Sequence, residues 1–153
     1  MGYRIEIPKD EYLRGLDQAT EKLQALVDDI ISAGAQGLAD ASLYILGEAV
    51  KRAPVDTGNL RGSGYVELDG QRVAKGTEGG SCTLTGAVPE DAARAEIGFN
   101  AKYAADQHEQ VHYTHPRGGQ SKYLESVLVE EQSRILTTIT GRVDEVMGGG
   151  HND

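Results

Sequence analysis

The chain has 153 residues, 24 of them acidic and 15 basic for a net charge of -9, with no Trp, one Phe and one Cys. A lone Cys82 excludes an intramolecular disulfide and any cysteine-based zinc site. The acidic balance argues against a dedicated nucleic-acid binder, because duplexes are held mainly by Lys and Arg on phosphate. It leaves room for a protein that surrounds DNA without gripping it, since a negative wall repels phosphates and lets a duplex slide.

The length fits one domain, residues 1–147, followed by a short flexible tail, 148–153. Its core must be built from Leu, Val, Ile and Ala, with seven Tyr filling in. A core this light, in a chain with 20 Gly, points to stability drawn in part from neighbours in an assembly. No secretory leader is legible at the N-terminus. No apolar run approaches the roughly 20 residues of a membrane-spanning helix, so no membrane partner is expected.

In chain order, "YRIEI" (3–7) alternates with period two and predicts a short strand. Asp10 then offers an N-cap to an amphipathic helix whose apolar side carries Leu13, Leu16, Leu23, Leu26, Val27, Ile30 and Ile31. The pattern passes Gly34 and Gly37 and resumes through Leu38, Ala41, Ile45, Ala49 and Val50. One long bent helix fits, and so do two helices hinged near 32–37. Pro54 ends the run. "PVDTGNLRGSG" (54–64) is turn chemistry, in which Gly58 can take positive φ. "YVEL" (65–68) and "QRVA" (71–74) flank Asp69-Gly70, a tight-turn pair, and predict a hairpin. Residues 76–93 read as a long loop or as a hairpin around "SCTLT". "RAEIGFN" (94–100) is a further strand. One or two helical turns follow from Tyr103 to His108, then an irregular 112–121. Ser121 caps a last helix bearing Leu124, Val127, Leu128, Ile135, Ile139, Val143 and Val146. The sum is an α+β fold: an antiparallel sheet packed on a long N-terminal helix and a C-terminal helix.

Residues 108–112, "HEQVH", match the H-E-x-x-H pattern of zinc hydrolases. That pattern works when both imidazoles share one helical face and the Glu activates a metal-bound water. Here Pro116 and Gly118-Gly119 stop any helix within a few residues of His112. The third ligand is also wrong for one major class, because His115 stands where that class has Gly. A structural metal on His108, His112 and His115 is a second possibility. The simpler reading is a polar loop, and no catalytic, cofactor-binding or metal-ligating residue is assigned.

Two segments taken together are more specific. "AVKRAPVDTGNLRGS" (49–63) is a helix end followed by Pro54, Asp56, Thr57, Gly58, Leu60 and Arg61. "EIGFNAKYAADQHEQVHYTHPRGGQSKYLESVL" (96–128) is a strand, a Tyr-Ala step, a His/Glu/Gly-Pro loop and a helix opening on Lys-Tyr-Leu. This order, over residues 45 to about 140, resembles the neck or tail-completion family of long-tailed bacteriophages, often labelled minor capsid or tail-component proteins. Residues 76–93 would be a local insertion in that family. The resemblance implies a non-catalytic virion protein, made in the bacterial cytoplasm, that forms a ring between the capsid connector and the tail tube, with six-fold symmetry the first expectation. DNA would be a partner only by passage through the lumen. The same resemblance admits a head-closure or minor capsid protein of the same particle. It implies that Asp56-Thr57-Gly58 shape the turn into the sheet, that Leu60 and Arg61 open the next strand, and that Arg61 is free to pair with an acidic neighbour. Tyr103, His108, Glu109, His112, His115 and Arg117 would form a projecting loop for contact with an adjacent subunit or the tail tube.

Overall fold

A computed structural model describes residues 2–6, 8–55, 58–112 and 114–148. Met1, Ile7, Asp56, Thr57, Tyr113 and the tail from 149 lie outside the described residues, and with them the turn expected at Asp56-Thr57 and the flexible tail. Helix α1 runs unbroken from Lys9 to Arg52, 44 residues, or about 66 Å at 1.5 Å per residue. It begins after Pro8, so Asp10 lies in the first turn instead of capping it. The expected strand at 3–7 is not formed: residues 2–6 have no regular structure, and Ile5 is 92% exposed. Alternation alone cannot make a strand where no edge is in reach to pair with it.

A short α2 (Asn59–Gly62) leads into strands β1 (Gly64–Leu68), β2 (Gln71–Gly76), β3 (Cys82–Leu84) and β4 (Ala95–Phe99). All pair antiparallel in the order β3-β2-β1-β4. Asp69 and Gly70 both have positive φ, 47° and 81°, as the hairpin turn demands. The Asp69 carboxylate also accepts from the Ala93 and Arg94 amides, which ties the turn to the start of β4. A bulge after Val66 lets β2 bury Val73 and Ala74 in succession. The Gly- and Thr-rich stretch therefore contains the hairpin strand around "SCTLT".

The sheet lies on the second half of α1, where Ala35, Ala39, Leu46 and Val50 meet Val66, Leu68, Val73 and Ala74. The C-terminal helix is broken at Glu131 into α4 (Tyr123–Glu130) and α5 (Gln132–Gly148). Val127 of α4 is buried with Ile45 and Ala49 of α1, and Arg52 reaches across to Glu130 at 2.7 Å. Helix α5 runs back antiparallel along α1. Gly34 faces Val143, Arg142 pairs with Asp40 on the same helix flank, and Arg134 stacks on the Tyr44 ring.

Gly37 is thus a contact point and no hinge: a Cβ there would overlap the Ile139 backbone carbonyl. The first half of α1 behaves differently. Leu13, Leu16, Leu23, Leu26, Val27 and Ile31 are exposed, and no residue before Ala33 is buried. The predicted amphipathic face is present, but none of the described residues covers it.

Gly37→Ala is expected to push α5 off α1 at a cost of about 1–3 kcal/mol, as overpacking does. Gly15→Ala, where a Cβ meets nothing within 4 Å, should instead raise helicity, since Gly costs about 0.5–1 kcal/mol in a helix interior. Thermal melts and far-ultraviolet circular dichroism of the two variants check the opposite signs.

Candidate functional site

The two segments singled out in the sequence come together at the C-terminal end of α1. Leu60 is buried in one cluster with Ala53, Ala104 and Tyr123. Leu60 and Arg61 do not open the strand, as the resemblance implied. They sit in α2, with Gly58 before it at φ 85°, and the strand starts only at Gly64. Nor is Arg61 free for an acidic neighbour. Its Nε donates to the Ala53 carbonyl at 3.1 Å and its Nη2 to the Lys51 carbonyl at 2.9 Å. The last carbonyls of a helix lack internal partners and carry partial negative charge, so a guanidinium there acts as a C-terminal cap.

The loop is threaded over the same end. Gln120 donates its amide to the Arg52 carbonyl (2.8 Å), and Val55 donates to the Gly118 carbonyl (3.1 Å). Gly119, at φ 97°, passes so close to Pro54 that a Cβ would lie 2.6 Å from the Ala53 carbonyl oxygen. Turn and loop together frame two shallow surface pockets. Pro54, Leu60, Tyr103 and Gln107 line about 200 Å³. Pro54, Val55, Gln107, Thr114, His115, Pro116 and Arg117 line about 330 Å³.

The histidines divide. His108 is on α3 (Ala104–Glu109), its side chain 18% exposed and its ring edge-on to Tyr123 at 4.9 Å. Its Nε2 accepts the Glu125 amide at 3.3 Å, which places the proton on Nδ1, 2.8 Å from Glu109 Oε1. Helix α3 ends at Glu109, so His112 is exposed beyond it and does not share a helical turn with His108. His115 is half-buried, 3.4 Å from the Ser121 hydroxyl, which itself donates to the Gln110 carbonyl at 2.6 Å. The hydroxyl proton is therefore committed, and His115 Nε2 must be the donor to Ser121.

Among the described residues, the groups whose ligand atoms converge are His108, Glu109 and Glu125, within 4.8 Å of one another. A cation already stands there: the Lys122 ammonium pairs with Glu109 and lies 3.1 Å from Glu125. Lys122 holds the Glu109 carboxyl below its ordinary range, with His108 contributing, and the two carboxylates raise the Lys122 ammonium. Lys122 has φ 55°, a costly conformation for a side-chain-bearing residue. The hydrogen bond that its backbone N–H donates to the His108 carbonyl (2.7 Å) and its two ion pairs hold it there. Beneath this, Tyr123 donates to the Ala104 carbonyl at 2.9 Å, and burial pushes its phenol up to about 12.

Sequence reading missed Lys122, Tyr123 and Glu125 as parts of this site. The i,i+3 pair of Lys122 and Glu125 was the available signal. The left-handed turn that aims Lys122 at Glu109 has none. No family model, no curated protein and no solved structure matches the chain.

Tyr123→Phe removes one donor while the Ala104 carbonyl keeps its helical partner, and is expected to cost about 0.5–1.5 kcal/mol in denaturant unfolding. The Glu109 carboxyl is depressed in the fold, so its contribution is present above the unfolded value and is lost as pH falls through the folded one. NMR titration should show the Glu109 carboxyl ionised below the usual value near 4.3, returning towards it in Lys122→Met. An unchanged titration in that variant would show that Lys122 is not the cause.

Proposed function

We propose that this chain is a structural virion protein of the phage head–tail joint, a neck or tail-terminator subunit. In this reading it forms a ring between the capsid connector and the tail tube and lets DNA pass. One observation carries the reading: the two segments that resemble the family, separated by more than thirty residues of sheet and loop, meet at one end of α1. There they pack together, with Leu60 on Ala104 and Tyr123 and with Arg61 closing the helix. His112, His115 and Arg117 then belong to a braced loop suited to an adjacent subunit or the tail tube. Braced loops on a rigid scaffold commonly carry contacts of this kind. A ring subunit uses two different faces that close by rotation. No helix among the described residues is long and apolar enough to cross a membrane.

A head-closure or minor capsid protein of the same particle would use the same fold, since a fold does not specify position. The zinc-hydrolase alternative on His108, Glu109 and His112 has geometry against it. Its two imidazoles are not on one helical face, and Lys122 occupies the space between the carboxylates.

Imaging of the purified chain is expected to show rings with a channel of about 20 Å, wide enough for a duplex. His112→Ala with His115→Ala should leave the monomer folded and reduce joining of heads to tails. A normal yield of infectious particles from that double variant would count against the loop. Stoichiometric zinc in the purified protein, with an activity abolished by a chelator, would overturn the structural reading.

A further inference from the structure

The exposed half of α1 carries a regular seam. Leu13, Leu16, Thr20, Leu23, Val27 and Ile30 recur at alternating three- and four-residue steps, the a and d positions of a heptad. The same seam continues through Gly34, Gly37 and Tyr44, and there α5 covers it with Val143, Ile139 and Arg134. The end of α5 still passes Asp29, Ser32 and Ala33, where Ile30 is half-buried; among the described residues the seam before that, residues 13–29, runs on uncovered for about 25 Å, or about 17 residues at 1.5 Å each. The polar atom at its centre is already satisfied: the Thr20 hydroxyl donates to the Leu16 carbonyl at 2.9 Å. A helix of this length gains most of its stability from packing one face, and among the described residues nothing covers this one.

We infer that residues 12–31 of α1 form a stem that packs parallel and in register against the same stem of a second copy of this chain. The flanking positions favour that occupant. Parallel pairing sets each g position against the partner's e position of the following heptad, which brings Tyr12 to Asp17, Ala19 to Gln24 and Leu26 to Ile31. The first couple can form a hydroxyl-to-carboxylate hydrogen bond, the last is apolar, and no like charges oppose. Antiparallel pairing would lay Asp17 beside the apolar Ile31 and leave a carboxylate without a partner.

The area reaches the lower end of the range for a stable interface, about 600 Å² per partner. Tyr12, Leu13, Leu16, Leu23, Leu26, Val27 and Ile31 are each 43–64% exposed. Together they offer on the order of 600 Å² per copy, against about 800 Å² per partner in a stable interface. Apolar side chains at g as well as a and d make the stripe wider than a two-stranded seam needs, so each stem can touch a neighbour on either side. The inference concerns how copies join and does not rest on the head–tail reading.

The test uses the full chain. Its mass, followed by sedimentation from nanomolar to high micromolar concentration, should show self-association. Leu16→Asp with Leu23→Asp should weaken that association at least tenfold while leaving the thermal melt of the sheet domain unchanged, because both side chains are exposed. In a Cys82→Ser background, Leu23→Cys should form a disulfide-linked dimer on mild oxidation. A mixture of Leu13→Cys and Ile30→Cys chains should not cross-link to each other. A wild-type chain that stays monomeric throughout, a mass indifferent to the two aspartates, or cross-linking in the Leu13/Ile30 mixture overturns the stem. Loss of head–tail joining in the His112/His115 variant with self-association intact would bear on the loop alone.

Discussion

The second half of α1 presents small residues on two sides, and the remaining elements are fitted to it. Ala35 and Ala39 let the sheet come close on one side, while Gly34 and Gly37 let α5 come close on the other. Interiors tolerate little void or overlap, so these positions set the spacing of all three layers. With that spacing Leu46 and Val50 reach Val66, Leu68 and Val73, and Val127 reaches Ile45 and Ala49. A glycine that weakens an isolated helix here permits the contact that positions its neighbour.

The end of that helix is a second point of convergence. Its last carbonyls need donors, and they receive them from elements distant in sequence: Arg61 from α2 and the Gln120 amide from the loop. Arg52 at the same end ties to Ser126 and Glu130 of α4. Capping therefore brings the turn, the loop and the last helices to one place. The candidate surface is a consequence of completing α1.

The two halves of α1 have opposite economies. The half covered by sheet and α5 uses Ala and Gly, whereas the uncovered half carries Leu, Val, Ile and Tyr in a heptad seam. Large apolar residues projecting from an acidic chain need cover from somewhere. In the proposed stem a second copy would supply it without opposing like charges.

Much of this was legible in the residues. Period-two alternation marked β1 and β4, Asp69-Gly70 marked the hairpin and with it β2, and the apolar repeat marked α1. Local chemistry decides these, because adjacent side chains and φ preferences suffice. The strand expected at 3–7 failed because alternation needs an edge to pair with. The break at Glu131, the helical α2 and the cap by Arg61 were illegible because each answers to a neighbour distant in sequence. "HEQVH" shows the division most plainly. By itself the sequence determined that two imidazoles stand four residues apart with a carboxylate between. Only the tertiary structure decided that the helix stops at Glu109 and that Lys122 sits between Glu109 and Glu125. The physical reason is that a metal site needs convergence in space, and convergence depends on where the chain turns.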